Sequence, residues 1–208
     1  MATNDGNQGM VERYAPDGTA DIANSMRMYT NLVGQCRYNT AKRAGVVCES
    51  WSATGFSLRV QNDNINSTIL ILAESFGGSG FTLANISSDT SPASATDYSL
   101  SWNPQFVKLL LSNATATAAY SDSASAGVIG LHTITSDGEY SNTIAGENAQ
   151  ATTDEQSLSD NALNMPSDAG TAVAVGTSAL GASKYTITYT TAPATAFSWP
   201  ALVVREGQ

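Results

Sequence analysis

The 208-residue chain contains a single histidine, His132, which limits the nucleophilic chemistry that the sequence could support. A serine or cysteine nucleophile that is activated by histidine would have to use His132 as its base. His132 lies in the segment LHTIT, where residues alternate as they do in a half-buried strand. No G-x-S-x-G motif is present. We therefore interpret His132 as a strand residue on one face of a sheet.

Zinc is a poor match to the remaining ligand residues. Cys36 and Cys48 are the only cysteines, twelve residues apart, and this spacing fits no zinc knuckle. Because no export signal is visible, two free thiols are the default expectation. A disulfide between Cys36 and Cys48 stays open as an alternative if the flanking segments pair as a hairpin.

Calcium is the other metal to consider, because it takes oxygen ligands and the chain is rich in them. Residues 62–66 read NDNIN, which superficially resembles a calcium loop. Ser67, however, stands where the helical calcium loop has glycine, and no glutamate occupies its last position, so a plain turn is the better interpretation. Asp154-Glu155 and Asp160 are weaker candidates of the same kind. We predict no metal and no cofactor, although calcium binding stays open.

Paired carboxylates could still hydrolyse glycosides, because glycosidases need only two of them. The chain has 18 acidic residues, but nothing in their spacing selects a pair. The Gly77–Gly80 stretch, GGSG, lacks the lysine and the following helix of a phosphate loop, so it is interpreted as a turn. These observations predict a protein that is not an enzyme.

Three tryptophans, Trp51, Trp102 and Trp199, offer a binding function instead. With the eight tyrosines they could stack on sugar rings, as aromatic residues do in carbohydrate-binding β-sandwiches. Each tryptophan lies in an alternating apolar segment, which favours a place in the core. A carbohydrate-binding module of the adhesin or receptor-binding type is therefore the alternative function.

Charge is sparse and unevenly distributed. Only 13% of residues are charged, against about 25% in typical proteins. The net charge of −9 argues against nucleic acid as a partner, because phosphate contacts need clustered basic residues. Residues 1–60 nevertheless carry six basic and five acidic groups, whereas the other 148 carry three and thirteen. This asymmetry predicts that a partner binds the N-terminal part of the chain, within residues 1–60. The predicted partner-binding residues are Arg13, Arg27, Arg37, Lys42 and Arg43.

The segments that position these residues change character near residue 44. Residues 1–24 are rich in Asn, Asp, Gly, Ala and Thr, which predicts a flexible or extended arm. Residues 25–43 form a connecting segment whose apolar spacing allows one short helix. Residues 44–208 show period-two alternation between Gly, Asn, Asp and Ser turns. They predict a single β-sandwich domain.

Short strands are predicted throughout that domain. The predicted strands include residues 56–60, 68–72, 98–102, 106–111, 128–134, 185–189 and 197–204, and Ser136-Asp137-Gly138 is a hairpin turn. Residues 141–170 have few large apolar side chains and predict a long surface excursion. The fold class is therefore all-β: an antiparallel β-sandwich, jelly-roll-like, with an extended N-terminal arm.

In style, the chain resembles the small virion proteins of tailed bacteriophages, of the capsid decoration or minor coat type. The resemblance lies in low charge, in the Ala/Ser/Thr/Gly-rich β pattern of 44–208, in the arm at 1–24 and in the ending YTITYTTAPATAFSWPALVVREGQ. It includes no diagnostic motif and implies no site residues. It implies a structural protein that docks on capsid or other virion proteins through its N-terminal region.

Other expectations follow from composition. Symmetric weak contacts favour a homo-oligomer such as a trimer. No apolar run reaches the roughly 18 residues that a membrane span needs, so no membrane partner is predicted. No secretory signal is visible, which places synthesis in the host cytoplasm and the mature protein in the virion. A glycan is the partner only under the alternative function.

Overall fold

A computed structural model describes residues 2, 8–14, 24–29, 33–37, 43–61, 80–113, 121–123, 126–147, 155–166 and 172–205. Within these ranges the chain forms strands and turns and no helix. The strands, in chain order, are β1 (Met10–Tyr14), β2 (Asn24–Tyr29), β3 (Gly34–Arg37), β4 (Arg43–Ser52), β5 (Gly55–Gln61), β6 (Phe81–Ser87), β7 (Ala95–Ser99), β8 (Pro104–Ser112), β9 (Ser121–Ser123), β10 (Ala126–Thr135), β11 (Gly138–Glu147), β12 (Glu155–Asp160), β13 (Leu163–Pro166), β14 (Ala172–Gly181), β15 (Lys184–Thr191) and β16 (Ser198–Arg205).

Two antiparallel sheets make the sandwich. The larger sheet has the order β12-β11-β10-β8-β16-β6, and the smaller has the order β13-β14-β15-β7. The chain passes from β6 to β7 in the other sheet, returns to β8, and crosses twice more before it ends in β16. The predicted all-β antiparallel sandwich is confirmed.

The core lies between these sheets. Because side chains alternate along a strand, every second residue of β8, β10 and β16 points toward the smaller sheet. Trp199 is fully buried there, and its indole Nε1 donates a hydrogen bond of 2.8 Å to the Ser112 carbonyl. The other large side chains of this core are Val107, Leu109, Leu111, Ile134, Leu163, Met165, Tyr185, Ile187 and Tyr189.

Strand β16 runs through the larger sheet between β6 and β8, so Val203 pairs with Thr82 on one side and with Val107 on the other. A late strand that returns beside an early one is a Greek-key connection, from which jelly rolls are built. Pro200 pairs with Asn85 of β6 and precedes the ladder with β8, which starts at Ala201, so it lies where a missing amide proton is tolerated.

A third layer covers the outer face of the larger sheet. Strands β1, β2 and β9 form a small sheet that contacts β8 and β10, and β1 also contacts β16. Leu202 and Val204, which point away from the sandwich core, are buried on this side. The prediction of a flexible or extended N-terminal arm is therefore corrected for residues 10–14. These residues are extended, but they form a strand that pairs with β2 in this layer.

Strands β3, β4 and β5 form a separate three-stranded sheet. The short helix allowed in residues 25–43 is wrong for the described part of that segment, because 24–29 and 34–37 are strands that gain ladder hydrogen bonds. Strands β4 and β5 were expected in the sandwich, but β4 pairs with β3 on one side and with β5 on the other. Gln8 anchors this sheet, because its side chain exchanges hydrogen bonds of 2.7 and 2.9 Å with the Cys48 backbone.

The expectation of a surface excursion over 141–170 is also wrong. Strand β11 pairs with β10 along its whole length, and β12 and β13 follow it. In β11 the inward-facing residues include the small polar Ser141 and Thr143, so this strand lacks the inward-facing large apolar residues that signal a strand. The Ser136-Asp137-Gly138 turn is confirmed, and Gly138 has a φ of 140°. The predicted strand at 68–72 lies outside the described residues.

Candidate functional site

The basic residues predicted to bind a partner lie in two different sheets. Arg13 is in β1 and Arg27 in β2, and Arg27 pairs with Glu12. Arg37 of β3 pairs with Arg43 of β4. Lys42 lies outside the described residues. The backbone therefore places Arg37 directly opposite Arg43, whereas Arg13 and Arg27 are not partners, because Arg13 pairs with Met26 and Arg27 pairs with Glu12.

His132 stands at the centre of a polar network inside the sandwich. Its side chain is fully buried, and its Nδ1 atom lies 2.7 Å from Ser141 Oγ. Its Nε2 atom lies 2.6 Å from Ser178 Oγ and 3.3 Å from Glu139 Oε2. Ser178 belongs to β14 of the smaller sheet, whereas the other three residues belong to β10 and β11. The network therefore joins the two sheets.

The hydrogen-bond directions follow from the number of protons. Ser178 donates its one hydroxyl proton, and also its backbone amide, to Glu139 Oε2. The bond between Ser178 Oγ and His132 must then be donated by Nε2–H of the imidazole. In the neutral ring, Nδ1 accepts from the Ser141 hydroxyl. Each polar group of the network thus has a partner, which is what a buried polar set requires.

A hydroxyl, an imidazole and a carboxylate in contact also make up a nucleophilic triad. Here, however, Ser178 and Glu139 share the same imidazole nitrogen. Ser141, on the other nitrogen, is only 2% exposed, and Glu139 is 9% exposed. Both hydroxyls are engaged within the network, because Ser141 Oγ contacts Nδ1 of the imidazole and Ser178 Oγ contacts both Nε2 and the Glu139 carboxylate. The network links β10 and β11 of the larger sheet to β14 of the smaller sheet. We interpret its role as structural.

The three tryptophans occupy three different environments. Trp199 lies in the core, and Trp102 is partly buried against it, as their alternating segments predicted. Trp51 is 38% exposed, so the core expectation is wrong for this residue. Its ring meets that of Phe56 with centroids 5.4 Å apart and planes tilted by 49°. A platform made of all three tryptophans is therefore excluded.

Trp51 and Phe56 lie at the end of the β4–β5 hairpin. Strand pairing places Trp51 opposite Phe56, Cys48 opposite Leu58, and Val46 opposite Val60. All of these side chains lie on one face of the hairpin, because residues two apart along β5 share a face and the register shift between Cys48 and Ser50 brings Trp51 onto the same face. Residues 49–57 are exposed, and so is Val60. We call this set, Trp51, Phe56, Leu58 and Val60, the hairpin face.

The opposite side of the hairpin is polar and internally paired. Arg59 Nε donates to Glu49 Oε1 at 2.9 Å, and Ser50 Oγ and Ser57 Oγ are 2.6 Å apart. Nearer the base, Val47 packs against Met10. Cys48 is a free, buried thiol, so it forms no disulfide with Cys36, and burial raises its pKa. The hairpin thus has one apolar face, and its outer end meets solvent.

A second feature lies where the chain leaves the larger sheet. Strand β12 ends at Asp160, opposite Ser141, and the chain turns through residues 161–162 into β13 of the other sheet. This corner leaves an open pocket of about 290 Å³. We call it the corner pocket, and its lining residues are Tyr140, Ser141, Asn142, Asp160 and Asn161. Sequence reasoning missed it because the stretch was expected to be irregular.

Asp160 was a calcium candidate, and the structure gives its carboxylate another role. Its Oδ1 accepts from the Asn161 amide at 2.7 Å, and its Oδ2 accepts from Asn164 Nδ2 at 2.9 Å. Glu155 begins β12, and the other two candidates, Asp154 and the 62–66 segment, lie outside the described residues. Among the described residues, no group of three or more His, Cys, Asp or Glu side chains could hold a metal ion.

Two further findings concern the chain as a whole. Nowhere in its described ranges does a helix have the length and apolar character that crossing a membrane requires. Comparisons of the chain with protein families, with curated proteins and with solved structures found no match.

Proposed function

We propose that this protein is a non-enzymatic structural protein of a virion, of the capsid decoration or minor coat type, which docks through its N-terminal region. The observation that carries the proposal is the hairpin face. It lies within the first 61 residues, outside the two sheets of the sandwich, and it leaves Trp51 and Phe56 exposed.

An exposed face of this kind suits attachment to another protein. Trp, Tyr and Phe are enriched where proteins meet, because a large ring buries much apolar area at little entropic cost. The occupant that we assign is a shell protein of the same particle. A shell presents many identical sites, so a modest contact at each site adds up to stable decoration when subunits are also linked to each other.

The charge distribution favours the same orientation. Residues 1–60 carry six basic and five acidic groups and are close to neutral. The remainder carries thirteen acidic groups against three basic ones. If the N-terminal part of the chain binds the shell, the acidic sandwich faces solvent, where its negative charge repels neighbouring particles.

The proposal is tested with particles of the virus that encodes the chain. Mass spectrometry of purified virions should detect the protein at a fixed stoichiometry to the main shell subunit. Its absence from purified virions would overturn the proposal.

The docking face is tested separately by adding purified protein to particles that lack it. The double variant Trp51→Ser, Phe56→Ser should lose occupancy at least about tenfold, because each lost ring removes one or more kcal/mol of contact. Ile144→Ser is the matched control, because Ile144 is an exposed apolar residue of the sandwich. Full occupancy by the double variant would show that the hairpin face is not the docking face.

A further inference from the structure

The corner pocket combines a half-exposed aromatic ring with several neutral polar groups. Tyr140 is 52% exposed, which is high for a large ring on a sheet. Beside it, the pocket is lined by two asparagines, one aspartate and one serine. None of the five lining residues carries a positive charge.

The lining restricts the class of ligand. An anion would meet the Asp160 carboxylate without a compensating cation in the lining. A calcium ion would need six to eight oxygen ligands, several of them carboxylates, and the lining holds one carboxylate. A flat neutral molecule with a polar rim fits better, because a few placed polar groups around an apolar surface give a small-molecule site its orientation.

A sugar ring has this chemistry. One face of a pyranose presents C–H groups, which can lie on the Tyr140 ring, and its edge presents hydroxyls that both donate and accept. Carboxylate and carboxamide groups match those hydroxyls, because Asp accepts and Asn does both. The volume of about 290 Å³ lies just below the roughly 300–1,000 Å³ of typical ligand sites, which suits one ring.

The pocket is also held in place from behind. The Asp160 carboxylate is tied to the Asn161 amide and to the Asn164 side chain. Ser141 is tied to His132, whose other nitrogen contacts Ser178 of the smaller sheet. Fixed polar groups lower the entropic cost of binding, because they need not be ordered when the ligand arrives.

We propose that the corner pocket binds a single sugar ring, which stacks on Tyr140 and hydrogen-bonds to Asn142, Asp160 and Asn161. This site lies on the sandwich, away from the hairpin face. The inference is independent of the virion proposal, and either can fail while the other stands.

The test is an NMR titration of the full chain with the methyl glycosides of glucose, galactose and N-acetylglucosamine, each used alone. At least one should shift the backbone amide signals of 140–142 and 160–161. Mannitol, an acyclic polyol, should not, because it has hydroxyls but no flat face. No shift with any glycoside, or equal shifts with mannitol, would overturn the inference.

Variants of Tyr140 test whether the sugar stacks on its aromatic ring. Tyr140→Ala should weaken binding about tenfold or more, whereas Tyr140→Phe, which keeps the ring, should bind nearly as well as the wild type. Ile144→Ala is the matched control, because Ile144 is exposed on the same face of β11 and is not among the pocket's lining residues. Unchanged binding by Tyr140→Ala would also overturn the inference.

Discussion

At the scale of single residues, most buried polar groups of the sandwich have hydrogen-bond partners, and among the described residues the Tyr189 hydroxyl is the one buried side-chain group without one. His132, Ser141, Ser178 and Glu139 make the largest described set and link the two sheets. Ser88 makes a smaller one, because it exchanges hydrogen bonds with the Phe197 backbone. Such sets contribute specificity, since a strand in the wrong register would leave polar groups unpaired in the core.

Removing the imidazole should therefore be costly. His132→Ala would leave the Ser141 hydroxyl without its partner and the Glu139 carboxylate without its neighbouring N–H, so we expect a loss of about 2–4 kcal/mol in the free energy of unfolding. Chemical denaturation measures this directly. Thr133→Ala, on the opposite face of the same strand, should cost less than about 1 kcal/mol. Equal losses for the two variants would contradict a structural role for the network.

Asp89 accepts several hydrogen bonds in the turn between β6 and β7. Ser94 Oγ and Thr96 Oγ1 donate to its Oδ2 at 2.8 and 3.0 Å, and the Ser91 amide donates to its Oδ1 at 3.0 Å. The Ser94 bond, followed by those from Ser91 and Thr96, lowers the pKa of Asp89 from 3.8 to about 2. Because the folded pKa lies below the unfolded value, the carboxylate stabilises the fold above about pH 4. This stabilisation is lost as pH falls through about 2.

An NMR titration of the Asp89 carboxyl carbon should accordingly give a pKa of about 2. Ser94→Ala should raise this pKa toward 3.8, because it removes the largest of the causes. Ser91→Ala is the control: Ser91 donates through its backbone amide, so its variant should keep the low value. A wild-type pKa near 3.8 would show that these hydrogen bonds are not formed in solution.

At the scale of elements, the spacing between strands depends on a few small residues. Gly176 of β14 lies next to β15, where a Cβ atom would be 2.5 Å from the Thr188 carbonyl oxygen. The register of the β14–β15 ladder shifts between Val175 and Gly176, which marks a bulge. Glycine lets the two backbones approach at this point, and no other residue leaves enough room.

Gly176→Ala should thus destabilise the protein by about 1–3 kcal/mol, the usual cost of forcing extra atoms into a packed region. Gly55→Ala is the matched control, since a Cβ atom at Gly55 would meet nothing within 4 Å. Thermal denaturation followed by circular dichroism distinguishes the two. A Gly176→Ala variant as stable as Gly55→Ala would mean that β14 and β15 lie further apart than described.

At the scale of the whole molecule, three layers succeed each other: the smaller sheet, the larger sheet, and the sheet of β1, β2 and β9. The larger sheet is apolar on both faces in the region of β8 and β16, where Val203 points into the core and Leu202 and Val204 point outward. Such a sheet needs cover on both sides. The N-terminal strands supply it, so they contribute to stability as well as to any docking role.

Deleting residues 1–24 should therefore uncover apolar surface on the larger sheet. We expect a loss of about 2 kcal/mol or more, since full burial of one aliphatic side chain contributes about 1.5–3 kcal/mol, together with increased binding of a hydrophobic dye. Far-ultraviolet circular dichroism should still show β-structure. The Trp51→Ser, Phe56→Ser variant is the control, because its altered side chains are already exposed. Unchanged stability of the deletion variant would show that β1 does not cover the sheet.

The sequence by itself determined the local features. Alternation predicted β8, β10, β15 and β16, the Asp-Gly pair predicted the turn before β11, and the absence of helices between strands predicted an antiparallel sandwich. These signals are read within ten residues, because period-two burial and turn chemistry are local properties. They also placed His132 in a strand.

Only the tertiary structure decided which strands are neighbours. Pairing β16 with β6 and β8, separating β3–β5 from the sandwich and bringing Ser178 to His132 are contacts between residues far apart in the chain, and no local pattern encodes them. The strands of 138–166 were missed for a related reason. Their inward side chains include Ser141 and Thr143, which satisfy their hydrogen bonds through His132 and the Asn164 carbonyl. Polar residues can be buried in a core without a large free-energy cost only when residues distant in the sequence supply such hydrogen-bond partners.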